Sequence, residues 1–242
     1  MEAVSLWHGG PKFIGDPAAP VGTDSVLLAD FAAGLGAARA MDLGCGAGIL
    51  ALLLLERSPA LFAEGLELRA EAAALARLNL AQNGLAARTL IRCGDIRAHR
   101  SLYTAGSFDL VVCNPPYFPA GVGKPSPDPA RHAARSEDSC PLPEVCAAAA
   151  FLCRNGGSFC LVHRAERMAE VLALLSASGL EPKRLRMIVH SPDASPKLFL
   201  VEGRRGAKPG LVIMPQLALK NADGTNSDEV LKIYHIETET TL

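Results

Sequence analysis

The chain has 242 residues, 49% of them hydrophobic, and a formal net charge of −1. A chain of this length and composition buries a core that needs no disulfide or metal staple, so it reads as a single α/β domain with a surface segment at 1–22 and an appendage at 211–242. No apolar run approaches the ~18 to 20 residues of a bilayer-crossing helix, the N-terminus lacks a secretory layout, and a charge near zero gives no whole-molecule attraction to nucleic acid.

Seven cysteines without a C-x-x-C pair read as buried thiols in a reducing compartment, and the six histidines are scattered with no metal-binding cluster. No metal or membrane association is expected, and the location is expected to be cytoplasmic. H-E-x-x-H and G-x-S-x-G are both absent.

In chain order, residues 1–22 carry Gly and Pro and are expected to run over the surface, with a short hairpin around Lys12-Phe13-Ile14. Thr23-Asp24 reads as the cap of a helix, Ser25 to Ala33, that turns Val26, Leu27 and Leu28 inward. Ala40 to Leu43, then Gly44-Cys45-Gly46-Ala47-Gly48, then Ile49 to Arg57 reads as strand, tight loop and helix. Phe62 to Glu67 is a second strand that ends in an acid. Leu68 to Asn83 is helical, with Ala72, Leu75 and Leu78 spaced for a buried face and Gly84 as a left-handed cap.

Arg88 to Cys93 is a third strand ending at Gly94-Asp95, and Phe108 to Cys113 a fourth ending at Asn114-Pro115-Pro116-Tyr117. The proline-rich stretch 118–143 has no periodicity and reads as a functional loop or a disordered one. A helix from Glu144 to Cys153, a fifth strand from Ser158 to His163 and a helix from Ala165 to Ser176 follow. Lys183 to His190 and Lys197 to Glu202 alternate like an antiparallel pair finishing the sheet. Strands alternating with helices indicate a parallel, doubly wound sheet.

Open α/β sheets bind ligands at the carboxyl ends of their strands, and each of the first four strands ends in a polar or special residue. The G-x-G-x-G spacing is neither the dinucleotide fingerprint nor a phosphate loop. Glu67 lies 19 residues after Gly48, where a carboxylate can accept both hydroxyls of a ribose. Asp95 is placed to meet an adenine amino group, although a Gly-Asp pair serves equally as a turn. Two consecutive prolines fix their φ angles and remove donors, so the Asn114 side chain and the Pro115 carbonyl become rigid acceptors facing an amine. Tyr117 then offers a flat face for a base, with Phe118 beside it or in the core.

Asp42-Leu-Gly-Cys-Gly-Ala-Gly48 together with Asn114-Pro-Pro-Tyr117 resembles the class I S-adenosylmethionine-dependent methyltransferases that modify planar amines. Val21-Gly-Thr-Asp-Ser-Val-Leu-Leu28, Ala130-Arg-His132 and Gly156-Gly-Ser-Phe-Cys-Leu-Val-His-Arg164 resemble the bacterial tRNA adenine-N6 methyltransferases that act beside the anticodon of a valine tRNA. Leu180-Glu-Pro-Lys-Arg184 and Leu200-Val-Glu-Gly203 extend that resemblance.

The resemblance implies a Rossmann-like, doubly wound, mostly parallel seven-stranded sheet with an antiparallel edge, S-adenosylmethionine as cofactor and tRNA as partner. It implies cofactor binding by Thr23, Asp42, Gly44, Gly46, Gly48, Glu67, Asp95 and Asn114. Catalysis falls to Asn114, Pro115 and Tyr117, and substrate binding to Tyr117, Phe118, Arg131 and His132. The alternatives are methylation of a protein glutamine amide, which also uses Asn-Pro-Pro-Tyr, methylation of a guanine N2 in rRNA, and a non-catalytic cofactor-binding subunit. Two cationic groups are candidates for phosphate contacts. One is Lys124, Arg131, His132 and Arg135; the other is Lys183, Arg184, Arg186, Arg204, Arg205 and Lys208.

Overall fold

The computed structural model describes residues 2–17, 20–115 and 141–235. Tyr117, Phe118, Lys124, Arg131, His132 and Arg135 lie outside the described residues.

The alternation read from the sequence is present. A hairpin of β1 (Val4–Ser5) and β2 (Lys12–Phe13) comes first. It is followed by α1 (Thr23–Ala33), β3 (Arg39–Leu43), α2 (Ile49–Arg57), β4 (Phe62–Glu67), α3 (Ala70–Gln82), β5 (Thr89–Cys93), the single turn α4 (His99–Leu102) and β6 (Phe108–Cys113). The second half contains α5 (Leu142–Leu152), β7 (Cys153–Arg164), α6 (Met168–Ala177), β8 (Leu180–Val189), β9 (Leu198–Arg205), β10 (Val212–Ile213), β11 (Leu217–Ala218) and α7 (Asp228–Ile233).

The large sheet has the order β10-β8-β9-β7-β6-β3-β4-β5, with β11 also pairing with β8. The strands from β5 across to β7 are mutually parallel, and β9 runs antiparallel to both β7 and β8. The antiparallel strand therefore lies one place inside β8. Its unbroken buried run from Phe199 to Gly203 suits a strand with partners on both sides. Residues 211–219, expected as an appendage, instead supply β10 and β11, which run parallel to β8 along its outer edge. Two-residue strands carry too short a pattern to show a period of two.

Helices α1, α2, α3 and α7 cover one face of this sheet with Leu27, Leu28, Leu52, Leu53, Leu80 and Val230. On the other face, α5 and α6 contribute Val145, Cys146, Ala149, Val171 and Leu175. Cys45, Cys146, Cys153 and Cys160 are buried free thiols. Among the described residues no helix is long and apolar enough to cross a membrane.

Helix α3 departs from the expected face. Ala72, Ala73, Ala76, Asn79 and Leu80 are buried, whereas Leu78 is exposed. Small residues are required because α3 presses on the glycine loop: a Cβ on Gly48 would lie 3.0 Å from the Cβ of Ala76. Asn79, fully buried, clamps three segments together. Its Nδ2 donates to the carbonyls of Ile14 and Ala47 at 3.0 Å each, and its Oδ1 accepts from Ile14 N at 2.8 Å. Gln82 and Asn83 add bonds to the Lys12 backbone, and Phe13 and Asp16 are buried, so the N-terminal segment, exposed over much of its length, is anchored to α3.

Asn79→Ala would leave three backbone groups without that partner. Orphaned buried groups cost about 1 to 3 kcal/mol each, partly recovered where water enters. Urea unfolding is expected to report a loss of about 2 to 4 kcal/mol. An unchanged midpoint would show that the clamp contributes nothing.

Candidate functional site

Because β6, β3, β4 and β5 are adjacent and parallel, their carboxyl ends and the loops that leave them share one edge. The register pairs Asp42 with both Gly65 and Val112, and Glu67 with Cys93. The chain builds β3, β4 and β5 outward in one direction and then lays β6 on the other side of β3. At such a reversal the two departing loops diverge and leave a crevice.

The loop out of β3 is shaped by its glycines, with φ of 71° at Gly44, 52° at Gly46 and 84° at Gly48. L side chains avoid that region. A Cβ on Gly44 or Gly46 would meet nothing within 4 Å, so those two positions face open space and offer bare backbone to a ligand. The loop is tied to the end of β4. Gly44 N and Cys45 N donate to Leu66 O at 2.8 and 3.2 Å, and Gly46 N donates to Glu67 Oε2 at 2.9 Å.

The three acids occupy different electrostatic settings. Glu67 is buried, and its Oε1 accepts from Arg69 N at 2.9 Å. The Arg69 guanidinium lies between Glu67 and Asp16, paired with both. An ionised carboxylate accepts about four hydrogen bonds, so Glu67 keeps capacity for further donors. Asp42 is buried with neither oxygen in hydrogen-bond geometry with any described residue. Burial, and then the nearby Glu67 charge, push its pKa up to about 8 against a weaker opposing pull from the Ala51 N–H. Asp95 caps a short turn by accepting Arg97 N at 2.8 Å, and it pairs with the Arg97 guanidinium, which holds its carboxyl below the usual range. Its side chain performs the turn role that the Gly-Asp pair allowed.

Asn114 leaves the end of β6, followed by buried Pro115. Its Nδ2 donates to Ser25 Oγ at 2.9 Å. Ser25 is buried in α1, and nothing in the sequence pattern singles it out. The cap of α1 also differs from expectation: Gly22 takes the N-cap position with no side-chain bond, and Thr23 is the exposed first residue of the helix. The structure thus gathers Asp42, Gly44, Gly46, Glu67 and Asn114-Pro115 at one end of the sheet, with Gly48 serving the packing against α3.

Five of the six cations towards the C-terminus are engaged within the fold. Arg184 and Arg204 pair with buried Glu202, and Arg186 holds Glu229 through two bonds of 2.7 Å. Arg205 donates to the carbonyls of Phe151 and Cys153 at 3.3 and 3.1 Å, and Lys183 to that of Lys208 at 3.2 Å. Arg204 also faces Ser158, which pairs with Leu110, so it lies before the carboxyl ends of β6 and β7 where Asn114 sits. Arg184, Arg186, Arg204 and Arg205 thus brace the fold, whereas the Lys208 side chain is exposed.

Comparison with known proteins agrees with this geometry. Residues 21–125 match the family model described as "Methyltransferase small domain". A protein of Porphyromonas gingivalis (strain ATCC 33277) is 34% identical over 190 residues, covering 76% of this chain and 74% of its own. One of Bacteroides fragilis (strain YCH46) is 31% identical over 201 residues, covering 83% and 81%. One of Enterobacter sp. (strain 638) is 41% identical over 143 residues, covering 59% and 57%. All three are named tRNA1(Val) (adenine(37)-N6)-methyltransferase. Among solved structures, a predicted O-methyltransferase from Agrobacterium tumefaciens superposes with a TM-score of 0.70 at 20% identity, over 88% of this chain and 96% of that one, a likeness of fold. The chain belongs to the family of tRNA1(Val) (adenine(37)-N6)-methyltransferases.

Proposed function

We propose that the protein transfers the methyl group of S-adenosylmethionine to the exocyclic N6 of an adenine in tRNA, at the position named for its relatives. The observation that carries this reading is the Asn114-Pro115 segment, held at the end of β6 on the edge that the glycine loop also occupies.

The residues present fit the cofactor. Gly44 and Gly46 leave a cradle that any side chain would fill, and Asp42 is a buried acid whose oxygens are not in hydrogen-bond geometry with any described residue, suited when ionised to a positively charged ligand. Glu67 retains acceptor capacity for ribose hydroxyls. When bound, S-adenosylmethionine supplies an electrophilic methyl on a sulfonium. Asn114 Oδ1 and the Pro115 carbonyl accept the two N–H bonds of the target amine, which favours a pyramidal nitrogen with its lone pair turned to the methyl. Tyr117 stacks on the base, and Phe118, Arg131 and His132 contact the tRNA. Holding amine and methyl in a near-attack arrangement supplies much of the acceleration, and the chain's own residues need form no covalent bond to the substrate. We place the protein in the cytoplasm, where its substrate is made.

A protein glutamine amide is chemically similar to this target, but the relatives match over most of their length and are named for tRNA. Incubation with labelled cofactor and total tRNA, followed by digestion to nucleosides, is expected to give labelled N6-methyladenosine from valine tRNA. Label in a release factor, with none in tRNA, would overturn the reading.

A further inference from the structure

We infer that Ser25 sets the working orientation of the Asn114 carboxamide and is a positioning residue for methyl transfer. The inference rests on the function proposed above and assigns a part to a residue that has no role in it.

A carboxamide is planar, with a donor end and an acceptor end that point apart, and it can occupy its place in two flipped orientations. Only one suits an amine acceptor. With Oδ1 turned to the substrate, two acceptors, Oδ1 and the Pro115 carbonyl, converge on the N–H bonds; with Nδ2 turned there, a donor faces a donor. Proline at 115 has no N–H to contribute, so the segment works as an acceptor pair or not at all. In the structure Nδ2 donates to Ser25 Oγ at 2.9 Å, which places Oδ1 on the opposite side of the carboxamide; Ser25 holds this flip as an acceptor, with its own hydroxyl proton directed away from Asn114.

The placement of Ser25 supports this role. Its neighbours on the buried part of α1 are Val26, Leu27, Leu28, Ala29, Phe31 and Ala32, so its hydroxyl is the one polar group there. A buried hydroxyl is unfavourable unless it is hydrogen-bonded. The residue it meets is 89 positions away, at the mouth of the site. Leu27 and Leu28, almost fully buried, fix α1 against the sheet, so the hydroxyl stands on a rigid support.

The test is a cycle of Ser25→Ala, Asn114→Ala and the double variant, with single-turnover methylation of valine tRNA and cofactor affinity measured for each. Ser25→Ala is expected to slow transfer about tenfold, the factor that corresponds to one net hydrogen bond, with cofactor affinity unchanged. In the Asn114→Ala background the same change should slow transfer no further, because its only route to the reaction is through the carboxamide. Ser25→Cys keeps the side chain's size with a much weaker acceptor and should match Ser25→Ala, which separates the lost bond from a packing defect. Wild-type rates for Ser25→Ala and Ser25→Cys, or an equal further loss in the Asn114→Ala background, would overturn the inference. If Asn114→Ala itself transfers methyl at the wild-type rate, the proposed function fails and this inference with it; slow Asn114→Ala beside fast Ser25→Ala defeats the inference alone.

Discussion

Asn114→Ala is expected to slow methyl transfer by roughly 10²-fold or more, on the scale of removing one preorganised polar group from an active site. Cofactor affinity should fall far less than the rate even though Asn114 is one of the residues expected to touch the cofactor, because the glycine cradle, Glu67 and Asp42 come from other strands and stay in place. The effect belongs in the chemical step: an amine conjugated to a ring is a poor nucleophile, and the acceptors help only as its nitrogen becomes pyramidal. An interaction realised in the transition state lowers kcat, whereas one equal in ground and transition states raises KM. Asn114→Asp separates acceptance from orientation, since a carboxylate has no donor end, receives a bond from Ser25 and still offers oxygen to the amine. It should be faster than Asn114→Ala. Single-turnover rates with valine tRNA decide the matter, and a wild-type rate for Asn114→Ala would remove the mechanism.

What could be read from the sequence was local. Three glycines at alternate positions after Asp42, the acid closing β4 and the asparagine before two prolines each carry their reason within a few residues, and the parallel sheet brings their strand ends together. The partners of those residues are not local. Ser25 reaches Asn114 across 89 positions and Asn79 reaches Ile14 across 65, and no spacing rule announces a polar side chain that serves a distant loop.

Charge misled for the same reason. Arg184 and Arg186 look available in the sequence, yet Glu202 and Glu229 lie 18 and 43 positions on, and folding brings each pair together. The apolar periodicity of α3 favoured Leu78, but the close approach at Gly48 requires alanines on the inner face, so packing distance overrides hydrophobicity there. Edge strands β10 and β11 were illegible because pairing with β8, and not a pattern of their own, makes them strands.

Asp42→Asn is expected to make the ligand-free protein more stable in mildly alkaline solution and to flatten the dependence of its stability on pH. The folded pKa of Asp42 is raised from 3.8 to about 8, so between those values the folded state holds a proton that the unfolded chain has released. Stability in the wild type therefore falls as pH rises through that window and levels off above it. The full span is on the order of 5 kcal/mol. Other groups act in the opposite sense: His163, buried and lowered to about 4, costs stability on acidification, as do carboxyls held low by arginine, such as Glu170 and Glu229. Subtracting the variant from the wild type at each pH cancels them. Urea midpoints between about pH 6 and 9 that shift equally in both proteins would show that Asp42 is not the group responsible. Cofactor binding should move the other way, because a buried carboxylate facing a cation is favoured in its ionised form. At about pH 8 the variant is expected to bind S-adenosylmethionine at least about tenfold more weakly, the usual scale for losing one charge-assisted contact. Binding to the wild type near neutral pH should release a proton, visible in calorimetry as a heat that depends on the buffer. Equal affinity in the two proteins, with no proton released, would remove Asp42 from the cofactor site.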